Sequence, residues 1–350
     1  MRRFISSLFV FGFASPVFPM GPGTGGADHF LAKDSGASAW SVAVTQKGNL
    51  PDEKLRGLVW RAPGRPQGVI VCLHGLQTHS AWFAPVAADL RNAGWTVIAP
   101  DRRDSGMNRQ QNMAPVKSAE QLFGDLSAHL EQAAAEAPGK PLILLGTSWG
   151  SNLATAYLVR RQDARVSGLI QLVPATQVRK NLAPKFAERV LGPVLSVLSP
   201  RMPARPTFCD FHYLAGGRSQ SSGKGPPAIV DRRAPLPEPP ALEDSNSKLA
   251  CILKKDDSLL REPSIRTLRV GLVLAEMWRK KTSAIPDNTP ILILTAGHDQ
   301  IMDNRGALAA FPQGRVTHRD MPAGHGVQIT HPHWVSRHVL EWLRSAGKRP

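Results

Sequence analysis

From Leu55 onward, short apolar runs alternate with stretches of helical period. Leu55–Trp60, Trp95–Ala99, Leu142–Leu145 and Gly168–Val173 read as strands. Val69–Leu73 is the near-continuous apolar run expected of a strand buried on both faces. Between them, Trp82–Asn92, Lys117–Ala137 and Ser151–Arg161 read as helices. The second of these spaces Leu122, Leu126 and Leu130 along one side and stops before Pro138-Gly139. Strands alternating with helices in this way predict an α/β sheet.

The alternation breaks after about Ala175. Residues 175–290 are basic and irregular in period, with most of their proline and glycine between Arg201 and Pro240. Helices are expected again at Ser247–Leu253 and Ile265–Lys280, and strands at Ile291–Thr295 and Arg315–Met321. A closing helix over Trp334–Ser345 puts Val335, Val339, Trp342 and Leu343 on one face. Because strand character returns after the break, a core sheet interrupted by an inserted lid explains the order better than two tandem domains. The expected division is an N-terminal segment over 1–27, the first part of the core over 28–174, a basic, proline-rich lid over 175–290, and the second part of the core over 291–350.

The chain has 350 residues, 42% of them apolar, which excludes global disorder. No apolar run reaches the roughly 18–20 residues of a membrane-spanning helix. The 43 Lys and Arg against 27 Asp and Glu leave a formal charge of +16. About half of that excess lies in residues 175–290, with 19 basic against 11 acidic residues and dense clusters at Arg179-Lys180, Lys254-Lys255 and Arg279–Lys281. A solvated basic surface is the first reading, and attraction to an anionic membrane surface the second. Without a basic stripe interleaved with aromatics, no nucleic-acid partner is expected. Met1-Arg2-Arg3 and the apolar run Phe4–Phe18 have the shape of an export signal, with Gly25-Gly26-Ala27 as a cleavage candidate. An exported or membrane-associated location is therefore expected, with a cytoplasmic one as the alternative. Cys72, Cys209 and Cys251 have neither disulfide-framework nor zinc-site spacing. They are expected to be buried free thiols, a Cys209–Cys251 bridge being the alternative in an oxidising compartment.

The chemistry concentrates at Gly146-Thr147-Ser148-Trp149-Gly150, between the Leu142–Leu145 strand and the helix that follows it. A strand–tight turn–helix with small residues around a serine is a nucleophile elbow, and it lifts the Ser148 hydroxyl above the sheet. A serine hydroxyl is a weak nucleophile at neutral pH and needs a positioned base. His325, in a glycine loop after the Arg315–Met321 strand, is the expected base, ahead of His318, His331, His333 and His338. Asp299, after the Ile291–Thr295 strand and 26 residues before His325, is the expected acid, with Asp303 as the alternative. The oxyanion hole needs backbone donors, expected from Trp149 and from the His74-Gly75-Leu76-Gln77 loop, most plausibly Leu76. His74 reads as a structural loop histidine. His79 and Trp82 read equally as entrance or packing residues.

Taken together, these segments resemble the α/β-hydrolase superfamily, and within it the lysophospholipase and monoacylglycerol-lipase-like serine hydrolases. His74-Gly75 resembles the oxyanion loop, Gly146–Gly150 the elbow, Pro100–Gly106 the segment after the neighbouring strand, and Gly297-His298-Asp299 and Gly324-His325 the acid and base loops. The resemblance implies an α/β-hydrolase fold: a mostly parallel central sheet, helices on both faces and an inserted lid. It also implies hydrolysis of a carboxylic ester, of monoacylglycerol or lysophospholipid type, through an acyl-enzyme and with no metal or organic cofactor. Asp104 departs from the pattern, standing where the related segment carries glycine, so a positive φ is the condition to check there.

Two other outcomes use the same residues differently. The acyl-enzyme could pass to an alcohol or thiol, or the substrate could be a thioester, making the protein an acyltransferase or thioesterase. A catalytically silent binding protein on this scaffold is the reading outside enzymes.

Overall fold

The computed structural model describes residues 26–44, 53–110, 113, 115–179, 196–204, 242–279 and 281–346. The export-like run Phe4–Phe18, the Arg201–Pro240 tract beyond Ala204, and Cys209 lie outside the described residues. Cys72 is buried and free, whereas Cys251 is free but exposed. Among the described residues, no helix is long and apolar enough to cross a membrane.

Among the described residues, eight strands form one sheet: β1 (Ser38–Val44), β2 (Glu53–Trp60), β3 (Val69–Leu73), β4 (Thr96–Pro100), β5 (Leu142–Thr147), β6 (Val166–Leu172), β7 (Ile291–Ala296) and β8 (Val316–Met321). Their order is β1-β2-β4-β3-β5-β6-β7-β8. β1 and β2 pair antiparallel at one edge, and β4 through β8 are parallel. This is the α/β-hydrolase arrangement, with α1 (Ala84–Asn92), α2 (Gly106–Gln110), α3 (Ala119–Glu136), α4 (Trp149–Arg161), α5 (Leu242–Lys255), α6 (Ile265–Arg279) and α7 (Pro332–Ala346) around the sheet. β1 has no counterpart in the pattern read above. Its SAWSVAV sequence has only three buried positions, so it carries little of the apolar density that marks the central strands.

Strand alternation sends neighbouring residues into two cores. Val69, Val71, Leu142 and Leu144 face α3, α4 and α6, where Phe123, Leu126, Tyr157 and Trp278 fill the space. Ile70, Cys72, Ile143 and Leu145 face α1 and α7, packing with Leu90, Val339 and Trp342. Each fully buried aliphatic side chain contributes on the order of 1.5–3 kcal/mol by leaving water, which explains why β3 is apolar throughout and β5 apolar over Leu142–Leu145. The chain between β6 and β7 is not detached from this core, because Val270, Leu274 and Trp278 of α6 join it. Trp278 Nε1 also donates to Asn152 Oδ1 on α4 at 3.2 Å.

The antiparallel edge is tied down by a buried polar pair, in which Trp40 Nε1 of β1 donates to His129 Nδ1 of α3 at 3.0 Å. Burial lowers the His129 pKa to about 3. Above the unfolded value near 6.5 both states are neutral. Below it the unfolded chain takes up a proton that the folded one refuses until about pH 3, so stability falls as pH drops through that window. In urea titrations from pH 7 to pH 4, His129→Gln, whose amide can still accept from Trp40, should therefore lose less stability than the wild type. The difference in slope should approach about 1.4 kcal/mol per pH unit. Parallel pH profiles for the two proteins would show that His129 does not set this dependence.

Candidate active site

β5 delivers Ser148 at the C-terminal edge of the sheet, and α4 begins at the next residue. Ser148 has φ 52° and ψ −118°, outside the range that L-residues adopt freely. The glycines on either side are required by space. A Cβ on Gly146 would lie 2.6 Å from Gly150 O, and one on Gly150 would lie 2.1 Å from Leu73 O. The Ser148 side chain keeps partial solvent access while Thr147 and Trp149 are buried.

The two other residues expected around the serine converge on it. His325 Nε2 lies 2.8 Å from Ser148 Oγ, and His325 Nδ1 lies 2.7 Å from Asp299 Oδ2. Asp299 is fully buried, and its second oxygen accepts the Ile301 and Met302 N–H groups at 2.8 and 2.9 Å. Three donors, two on one oxygen and one on the other, fix the orientation of the carboxylate. A proton held on Nδ1 by Asp299 leaves Nε2 free to accept from the serine hydroxyl. The rival acid, Asp303, lies four residues on, just before a helical turn that starts at Asn304, and its N–H donates to Gln177 O. Of the rival histidines, His318 contacts Thr295, His333 pairs with Asp89, and His338 faces Glu341. His331 bonds Thr330.

The loop after β3 passes close to the serine, where a Cβ on Gly75 would lie 3.5 Å from Ser148 Cβ. Among the described residues neither Leu76 N–H nor Trp149 N–H is taken up by a protein acceptor. His74 is structural: its Nε2 accepts the Arg102 N–H at 3.0 Å, so its Nδ1 carries the proton and donates to Gly75 O at 2.8 Å. Burial first, and then the Arg102 charge, hold its pKa well below the usual histidine value. Asp104 does not have positive φ. Instead, its carboxylate accepts from Arg102 Nε at 2.5 Å and from Thr267 Oγ1 of α6 at 2.5 Å, which explains how a glycine position is filled by aspartate.

His79 and Trp82 are packing residues. Both are buried and donate to Asp256, His79 Nε2 at 3.0 Å and Trp82 Nε1 at 2.8 Å. His29 joins them at 3.1 Å. Burial alone would raise the Asp256 pKa, but the hydrogen bonds from His29 and His79 outweigh it and hold the carboxyl well below its usual range. The donor atoms of His29, His79 and Asp256 lie within 4.8 Å of one another, as metal ligands would. The hydrogen bonding argues against that role. The Leu31 N–H donates to His29 Nδ1, so His29 Nε2 keeps its proton and cannot offer a lone pair. No spacing in the sequence signals this cluster, because Asp256 lies 227 and 177 residues from the two histidines.

The sequence matches a family model described as serine aminopeptidase, S33, over residues 64–322. Human monoglyceride lipase is 27% identical over 143 residues, covering 40% of this chain and 46% of the relative. Phospholipase YtpA of Bacillus subtilis is 25% identical over 143 residues, covering 39% and 54%. The chain thus spans about half the length of the curated relatives it matches. A soluble variant of monoglyceride lipase from Saccharomyces cerevisiae, solved with a substrate analog, superimposes with a TM-score of 0.65 at 17% identity, over 88% of this chain and 96% of that one. A likeness at that identity speaks for the fold, whereas the family match runs from before β3 to the end of β8, well over half the chain. On that extent, this protein belongs to the serine aminopeptidase S33 family of α/β-hydrolases.

Proposed function

We propose that this protein is a serine hydrolase that cleaves carboxylic esters of lipid-like type, such as monoacylglycerols or lysophospholipids. The observation that carries the reading is the relay Asp299–His325–Ser148, with spacings of 2.7 and 2.8 Å, at a strained elbow. As Ser148 Oγ attacks the ester carbonyl, His325 Nε2 takes its proton, and Asp299 stabilises the imidazolium and holds its tautomer. The Leu76 and Trp149 N–H groups bind the oxyanion. Collapse of the tetrahedral intermediate expels the alcohol, which takes the proton back from His325. Water then repeats the sequence on the acyl-enzyme and releases the acid. The N-terminus of α4 adds a favourable field for the developing negative charge.

A lipid-like substrate is supported by the relatives, which are named as a monoglyceride lipase and a phospholipase. It is also supported by exposed Val197, Leu198 and Leu272, apolar side chains on the chain between β6 and β7 that could meet a lipid surface. The family description names peptidase chemistry, so aminoacyl nitroanilides belong in the same screen as monoacylglycerols, lysophospholipids and short p-nitrophenyl esters.

A fluorophosphonate probe should label wild-type protein at Ser148, as read by peptide mapping, and should label neither Ser148→Ala nor His325→Ala. Ester turnover by Ser148→Ala within about ten-fold of the wild type would sink the mechanism. Asp299→Asn should keep its fold and KM but lose on the order of 1,000- to 10,000-fold in kcat, because the amide favours the wrong imidazole tautomer. Asp303→Asn should keep wild-type turnover, and the reverse pattern would move the acid to Asp303. With glycerol or a thiol added as competing acceptor, free acid should remain the main product. A dominant transacylated product would favour the acyltransferase reading.

A further inference from the structure

We infer that Arg102 is a positioning residue for the oxyanion hole, clamping the peptide that carries the Leu76 N–H through its own guanidinium and through the His74 ring. This rests on the serine-hydrolase reading above and adds to it a residue outside the triad and its donors. The carbonyl and N–H of one trans peptide point in opposite directions, so whatever holds Gly75 O also aims Leu76 N–H. Two donors hold Gly75 O, His74 Nδ1 at 2.8 Å and Arg102 Nη1 at 3.4 Å. Arg102 Nη2 donates to the next carbonyl, Leu76 O, at 2.8 Å. Both peptides flanking the Leu76 Cα are therefore fixed from one side. Rotating the Gly75–Leu76 peptide would break the bonds to Gly75 O and turn a carbonyl where the N–H had pointed.

Arg102 also controls the second donor to Gly75 O. Its backbone N–H bonds His74 Nε2, which confines the single proton of the neutral ring to Nδ1. Its guanidinium lies 4.6 Å from the centroid of the Trp149 ring, and Trp149 carries the other oxyanion N–H. Two further guanidinium donors go to Asp104 Oδ1 at 2.5 Å and Ser105 Oγ at 2.7 Å. A planar fork can serve two carbonyls, a carboxylate and a hydroxyl at once while stacking on an indole, and the point charge of a lysine cannot. Through Asp104, the same clamp reaches Thr267 on α6, so the helix between β6 and β7 and the oxyanion loop share one anchor.

The test uses the full chain with p-nitrophenyl butyrate as substrate and an alkyl trifluoromethyl ketone as the probe that forms a tetrahedral adduct on the serine. In Arg102→Met, kcat should fall about 10- to 100-fold, less than the 100- to 1,000-fold of deleting a donor outright. KM should stay within about two-fold, ketone affinity should fall by the same factor as kcat, and the pH midpoint of turnover should not move. Arg102→Lys keeps the buried charge beside Asp104. It guards against misfolding of the methionine variant and should show a smaller, parallel loss in kcat and ketone affinity. Either folded variant retaining kcat and ketone affinity within about two-fold would overturn the inference, as would a loss of kcat with ketone affinity unchanged. Absence of turnover and probe labelling in the wild type would instead overturn the serine-hydrolase reading.

Discussion

The conformation of Ser148 is the constraint on which the rest of the site depends. A φ of 52° on a serine costs on the order of 1–3 kcal/mol, and it persists only where surrounding structure leaves no alternative. Here β5 and α4 approach so closely that Gly146 and Gly150 have no room for side chains. The Ser148 N–H donates to Leu172 O, and its carbonyl accepts from Ser151 and Ala175. Val173, at the end of β6, shares the distortion with φ 41°, unusual for a β-branched residue, and its N–H donates to Leu294 O. The strain is therefore held by the parallel sheet, whose strands β5, β6 and β7 are apolar and buried along nearly their whole length.

On the segment after β4, charged side chains are held by several partners each. Asp101 accepts the Ser80 and Met107 N–H groups at 2.7 and 3.0 Å, and burial still raises its pKa. Arg103 pairs with Asp125 at 2.7 Å and with Glu53. Removing either acid would leave the buried Arg103 guanidinium short of a partner, which is costlier than losing an exposed ion pair. The loop from Asp101 to Gly106 is thus built to hold the β3 loop in place, and Arg102 extends the same logic to the peptides nearest the serine.

The chain between β6 and β7 enters this framework rather than lying over it. Gly271 on α6 faces Trp149 so closely that a Cβ there would lie 2.1 Å from the indole Nε1. Thr267, one turn earlier, closes the bond to Asp104. A change in how α6 packs would consequently be felt at Trp149 and at the Arg102 clamp together. The Asp256 cluster does the same for the end of α5, linking it to His79 beside the β3 loop and to His29 near the start of the described chain.

Much of the architecture was legible in the residues because local chemistry dictates it. Val69–Leu73 and Leu142–Leu145 are apolar at every position and too short for helices, as strands buried on both faces are. The elbow was readable because a strained turn between a strand and a helix demands glycine at particular offsets from the serine. Asp299 and His325 were readable because each follows a strand in chain order, where a parallel sheet gathers its loops at one edge. β1 was not, since an edge strand with few buried positions carries a weak apolar signal. Nor were the roles of Arg102, Asp104 and Asp256, because a charged side chain does not encode its partner. Whether it is solvated or spent on a carbonyl, a carboxylate or an indole is set by which distant segments folding brings within 3 Å, and only the tertiary structure decides that.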